Sequence, residues 1–309
     1  MALLARKKII LAKIETTYGT DASPLGANAI LVRNVNVMPM ESDVAERDLI
    51  RPYLGNSDRI TAAARIMVEF ECELMGSGTA GTAPQFGPLL RACAMAETVV
   101  ASTSVAYAPV SASFESCTIY VNVDGVLHKL TGARGTYTVE LNNKQIPVIK
   151  FSMTGRWAAA TDTVAPTPTY TTTIPLAVNN LNTTAFTFHG YSAVASQFSF
   201  DVGNTVVHRT LVGGTEEVLI TDRKATGQLQ IEATTVTAKD WFTIAKNNTP
   251  GALTVTHGTV AGNKVKIDAP AISIVKPTYA ELDGVQMLQF DLALMPGGTG
   301  NDELKFLFT

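Results

Sequence analysis

Charge is what this sequence has least of. Asp, Glu, Lys and Arg together make up 17% of its 309 residues, against roughly 25% in an average globular domain. Hydrophobic content is an ordinary 46%, so the deficit does not signal disorder; such a chain buries enough surface to offset its conformational entropy. The net charge of −3 leaves no global basic field, which argues against a protein that grips phosphates by counterion release. The one basic cluster, Arg6-Lys7-Lys8, precedes an apolar stretch broken by Lys13 and Glu15. That stretch is too short for a signal-peptide core, and no run approaches the ~18 apolar residues of a membrane span. No membrane association is therefore expected.

Cysteine is nearly as scarce. Cys72, Cys93 and Cys117 are odd in number and widely spaced, with no C-x-x-C. That excludes a disulfide framework or a cysteine zinc site and suits a reducing compartment. His128, His189, His208 and His257 are never paired at i+2 or i+4, and G-x-S-x-G is absent, so nucleophilic catalysis has no support. Gly76-x-Gly78-x-x-Gly81 matches the dinucleotide fingerprint in letters only. The preceding strand carries Glu69, Glu71 and Glu73 on one face, and Gly87-Pro88 delays the following helix, whereas that fingerprint needs a buried strand and a helix opening at once. A flexible strand-to-helix connection is expected there. The reading is of a non-enzyme that needs no metal and no cofactor.

What the chain has in abundance is period-two alternation of Val, Ile, Thr, Tyr and Phe, broken by Gly, Pro, Asn and Asp. Residues 30–37, 65–74, 118–123, 136–141 and 148–153 read as strands in the first half. Residues 186–189, 198–202, 228–232, 253–257, 272–275 and 285–294 do so in the second. Asp124-Gly125 and Asp283-Gly284 have the residues of two-residue hairpin loops. Two helices are expected, over 84–97 and 238–247, the second capped by Thr237. The threonine- and proline-rich stretch 158–173 reads as a linker. The fold class is thus mainly β with a minor α component: two tandem β-sandwich or barrel-like domains, 29–157 and 174–309, each with one short flanking helix. Residues 1–28 form an N-terminal arm. The halves share an order of parts, with 65–74 matching 224–233, 89–94 matching 241–246, and the approach to Phe151 matching that to Phe290, as in an internal duplication.

The ordered series of residues 13–21 (KIETTYGTD), 28–32 (NAILV), 46–55 (ERDLIRPYLG), 71–74 (ECEL) running into the glycine-rich 76–84, and 87–93 (GPLLRAC) resembles the tail tube (major tail) proteins of long-tailed bacteriophages. The resemblance implies a virion structural protein, assembled in the host cytoplasm, whose subunits form rings stacked into a hollow tube. It implies a long loop reaching neighbours, an arm docking on the adjacent ring, and DNA passing through without specific binding. Other tail proteins (tape measure, tail terminator, distal tail protein) are the expected partners. Two units per chain favour a trimer acting as a pseudo-hexamer over a hexamer. The long loop is placed at 41–59, where charge of alternating sign gathers, so Glu46, Arg47, Asp48, Arg51, Tyr53 and Arg59 are the candidate inter-subunit contacts, with Tyr18 from the arm. A two-domain β-sandwich module binding carbohydrate or a surface ligand is the alternative from composition alone.

Overall fold

Alternation becomes pairing at the two Asp-Gly turns. In the computed structural model, which describes residues 2–309, both residues of each loop have positive φ (Asp124 47°, Gly125 104°; Asp283 52°, Gly284 78°). This is the mirror-image turn whose twist matches the flanking strands. The first joins β7 (Cys117–Val123) to β8 (Val126–Asn142) and the second joins β18 (Val265–Leu282) to β19 (Val285–Met295).

The remaining strands of the first half are β1 (Lys8–Ile14), β2 (Ala29–Ile30), β3 (Arg33–Glu46), β4 (Arg59–Glu73), β5 (Met95–Val100), β6 (Ser104–Pro109), β9 (Val148–Arg156) and β10 (Thr161–Asp162). Those of the second are β11 (Thr183–Phe188), β12 (Tyr191–Ser192), β13 (Ala195–Asp201), β14 (Asn204–Arg209), β15 (Glu217–Arg223), β16 (Thr226–Glu232), β17 (Gly251–His257) and β20 (Lys305–Phe308). Strand accounts for 52% of the chain and helix for 5%, so the protein is mainly β.

Strand order repeats between the halves. The first unit reads β3-β4-β9-β8-β7-β1 and the second β13-β16-β19-β18-β17-β11, every neighbour antiparallel. In each, one long strand serves both layers. β8 pairs with β7 through its first part and with β9 through its second; β18 does the same with β17 and β19. Phe70, Phe151 and Tyr137 fill the first unit, while Phe188, Trp241 and Phe290 fill the second, Phe188 stacking on Trp241 at 5.3 Å.

The units meet edge to edge. β8 pairs with β13 over five residue pairs, from Gln197↔Asn142 to Asp201↔Thr138, fusing two four-stranded sheets into one of eight. β20 adds a second seam, lying between β18 and β6 with Phe306 and Phe308 buried against Tyr137 and Tyr107. One continuous core results.

Several expectations are corrected. Helix α1 is only Gly87–Ala92, because Pro88 sets its first turn and Ala94, at φ 62°, turns the chain into β5. Helix α2 is Trp241–Lys246, capped not by Thr237 but by Asp240, whose carboxylate accepts from Thr243 N–H at 2.9 Å. Within the stretch expected as an arm, residues 8–14 are a full strand on β7 with Ile10, Leu11 and Ala12 buried. The stretch expected as a linker is pinned along its length: Asn122 donates to Thr163 O at 2.8 Å, Thr169 N–H to Gly26 O at 2.9 Å, and Thr173 to Ser77 O at 3.1 Å. The glycine-rich loop is packed rather than loose. Gly78 N–H bonds Gly262 O at 2.9 Å, and a Cβ on Gly76 would stand 2.1 Å from that oxygen. The fingerprint-like glycines let loops of the two units touch backbone to backbone.

All three cysteines are buried and free, and burial pushes each thiol well above its ordinary pKa. The thiolate is the reactive species. Native protein at pH 8 is therefore expected to take up no iodoacetamide over an hour and to take up three equivalents after denaturation, read by intact mass. Labelling of the native fold would contradict this burial.

Candidate assembly surfaces

The fused sheet has one face on the core and one in water. The outward residues include Glu69 and Glu71 on β4, Lys150 on β9, Glu140 on β8, Asp201 on β13, Gln228 on β16 and Asp291 on β19, all aligned by the pairing register. Its cations are neutralised locally. Lys150 Nζ lies 2.7 Å from Glu140 and 3.8 Å from Glu71, and Arg33 Nε lies 2.8 Å from Glu71. Two shallow hollows open on this face, one in each unit and the second crossing the β8–β13 seam. The surface is thus polar, concave in places and acidic on balance.

Both lateral edges of that sheet are open. β3 pairs only with β4, and beyond its bulge at Val275/Thr278 β18 pairs only with β19. Proline delimits each run. Pro277 sits in the β18 bulge and leaves Thr278–Leu282 free; Pro39 sits in a β3 bulge and leaves Arg33 to Met38 free. Proline is tolerated at edges and bulges because it supplies no ladder donor. Tyr279 is 65% exposed on the β18 edge, whereas Val139, at the equivalent place in β8 where β13 pairs, is fully buried.

Within 41–59, β3 runs to Glu46 and β4 starts at Arg59, so residues 47–58 are the long loop that closes a hairpin. Its charges pair across it: Arg65–Asp43 at 3.3 Å, Arg59–Glu46 at 3.0 Å and Arg47–Asp58 at 3.7 Å. Exposed pairs like these contribute at most about 1 kcal/mol each, so they shape the hairpin. What the tip offers a partner is apolar. Ile50 and Leu54 are fully exposed, Tyr53 largely so and Leu49 about half, and the Arg51 guanidinium lies 6.0 Å from the Tyr53 ring centre. Asp48 and Arg51 have no ion pair among the described residues.

The second unit has its own hairpin, β14–β15, held against the first unit. Arg134, 9% exposed, donates from Nη1 to Val218 O and from Nη2 to Phe114 O, both at 2.8 Å, and from Nε to Glu115 O at 3.1 Å. Its guanidinium lies 4.8 Å from the Tyr18 ring centre, and Val218 N–H donates to the Tyr18 hydroxyl at 2.5 Å. Tyr18 is thereby engaged inside the chain. Glu15 fixes the base of its turn, accepting from Ser116, Thr118 and the amides of Gly132 and Gly19 at 2.6–2.8 Å. Arg156 and His208 both reach Glu216, at 3.4 and 2.9 Å.

The charges and Tyr53 mark the first hairpin in the sequence, whereas Ile50 and Leu54 at its tip, Arg134 and both free edges were not singled out there. Pro39 and Pro277, each inside a strand, were the available signal for the edges. Two of the histidines serve the fold: His189 Nε2 meets Ile272 O at 3.1 Å and His257 Nε2 meets Leu176 O at 3.0 Å. No cluster of His, Cys, Asp and Glu able to hold a metal occurs among the described residues, and no helix there is long and apolar enough to cross a membrane.

A search of curated proteins finds no match. A family model described as phage tail tube protein matches residues 5–293, which includes both units and both hairpins. The mainly β architecture and this near-complete match agree: the chain belongs to the phage tail tube protein family and is a structural component of the virion tail.

Proposed function

We propose that three copies of this chain close a ring by strand pairing between the free edge of β18 and the free edge of β3 in the next copy, and that such rings stack into the conduit for the genome. The observation that carries this reading is the seam inside the chain. There β8, the last strand of the first unit's four-stranded sheet, already pairs with β13, the first of the second. Strand order is the same in both units, so β18 and β3 are the corresponding strands left without partners. Repeating the seam across copies is a heterologous contact that closes only at a fixed number of units.

The repeat also gives the register. Aligning Phe151 with Phe290 and Phe70 with Leu229 places Thr278 opposite Met38, Tyr279 opposite Val37 and Glu281 opposite Val35 of the neighbour. Tyr279 gains an apolar partner. Glu281 gains a cation, because Lys8 Nζ already rests 3.2 Å from Val35 O.

Ring closure turns the outward face of the fused sheet toward the bore. Glu69, Glu140, Asp201 and Asp291 would then face the duplex, which passes without the phosphate contacts that create salt-dependent affinity. Purified protein examined by negative-stain microscopy should form hollow tubes, with three chains per ring by mass of the smallest ring. A protein that stays monomeric at every concentration would sink the proposal. Placing cations in the bore, with Ser199→Lys and Gln228→Lys together, should make tubes retain short duplex DNA at 50 mM salt and release it at 200 mM. Unmodified tubes should retain little at either salt, as cosedimentation would read.

A further inference from the structure

The two Asp-Gly loops share one backbone conformation and stand in opposite surroundings. At the first, every group that could react is tied. The Asp124 carboxylate accepts from Leu4 N–H at 2.8 Å and lies 3.5 Å from Lys7 Nζ. Gly125 N–H donates to Asn122 Oδ1 at 2.9 Å. Asp124 N–H donates to Lys7 O at 2.9 Å, and Gly125 O accepts from Thr163 N–H at 2.8 Å. The N-terminal segment and the chain after β10 thus hold this loop from both sides.

At the second loop none of these bonds has a counterpart. Among the described residues neither the Asp283 carboxylate nor Gly284 N–H has a hydrogen-bond partner, and both residues are exposed. Glu281 holds the register position of Asn122, pairing with Gln286 as Asn122 pairs with Leu127, yet it makes no bond to Gly284. A glycine sets no side chain beside its own amide nitrogen, and a Cβ built on Gly284 would meet nothing within 4 Å. The carboxyl group and the following amide nitrogen are therefore free to meet.

We infer that Asp283-Gly284 is a site of spontaneous covalent modification to isoaspartate, and that Asp124-Gly125 is protected from it by its hydrogen bonds. The Gly284 nitrogen bonds to Cγ of the Asp283 carboxylic acid, whose hydroxyl leaves with the amide proton as water, closing a five-membered succinimide. One water then reopens the ring. Breaking the nitrogen bond to the Asp283 backbone carbonyl leaves the chain running through Cβ and Cγ with a free α-carboxylate, whereas breaking the bond to Cγ restores aspartate. Nothing is oxidised or reduced, and the mass is unchanged. The isoaspartyl form lengthens the backbone by one methylene between Leu282 and Val285, the pair that closes the hairpin, and so disturbs the end of the free β18 edge. The reaction uses groups of a single chain and does not depend on the tube reading.

The test is peptide mapping of the full-length protein held at 37 °C and pH 6, with electron-transfer fragmentation to tell isoaspartate from aspartate. A free peptide of residues 279–287 serves as the unstructured reference. Isoaspartate should accumulate at position 283 at least about tenfold faster than at 124, where hydrogen bonds to both reacting groups must first be given up. Equal rates at the two turns overturn the inference, as does an unmodified position 283 once the free peptide is half converted. Asn122→Ala releases the Gly125 amide; it should raise conversion at 124 at least about threefold and leave 283 unchanged. No rise at 124, in a variant whose circular dichroism is native, overturns the protection assigned to that bond.

Discussion

Glu281→Pro is expected to leave a folded monomer that no longer forms rings. The two-residue Asp283-Gly284 loop closes on a hydrogen-bonded pair, Leu282 with Val285. Bonds to β19 therefore alternate along β18, and the Glu281 amide points away from β19 toward the open edge. Proline there removes an outward donor and sets its ring against any arriving strand. The cost to the monomer is small, because no ladder bond of the hairpin is lost. A closed ring repeats the junction at every contact, so the penalty multiplies. The control is Glu281→Gln, which keeps the amide and gives up only the charge facing Lys8; it should still assemble, at a higher concentration. Circular dichroism and sedimentation velocity separate the outcomes. Ring formation by the proline variant would remove the β18 edge from the interface.

Arg134→Met should be the most damaging single change to the monomer. The guanidinium satisfies three carbonyls, of Phe114, Glu115 and Val218, and lies on the Tyr18 ring. Burial depresses its pKa, opposed by Tyr18, Glu217 and Glu15. Methionine fills much of the space and offers no donor, leaving polar groups in a part-buried site unmatched. The expected loss is about 3–5 kcal/mol, as for breaking a buried charged contact. In a chain of this size that is a fall of roughly 5–8 °C in Tm. The effect should be local at first: amide exchange should speed up in β14 and β15 before it does in β4 or β9. A shift under about 2 °C would mean that Arg156, Glu216 and the Tyr18 hydroxyl hold the hairpin without Arg134.

The parts of this fold written most clearly in the sequence are those with one face in the core. Ile66, Val68, Phe70 and Cys72 alternate with polar neighbours and are buried as that alternation implies. The Asp-Gly turns were equally plain, since positive φ at both loop residues restricts what can stand there. The distal halves of β3 and β4 were hidden because both faces of that hairpin meet water, so no period-two apolar signal exists to be read. Helix lengths were overstated because Leu89, Leu90 and Cys93 match a helical face even though Ala94 reverses the chain directly after them. The assembly edges were the least legible. An edge is defined by a partner that is missing, and it becomes visible only once the filled seam at β8 and β13 shows what should occupy it.

Strand β20 has a consequence in time as well as in space. Phe306 pairs with Tyr107, so the first unit completes a layer with residues roughly 200 positions further along the chain, a separation that slows folding. During synthesis the first unit emerges with Tyr107 and Tyr137 short of their aromatic neighbours, while its β3 edge is already made. The proposed ring closure needs the opposite edge, β18, which emerges shortly before β20. On that proposal a growing chain owns one half of its interface long before the other. It would meet finished neighbours on one side only, and gain the means to propagate a ring at about the moment its own core is sealed.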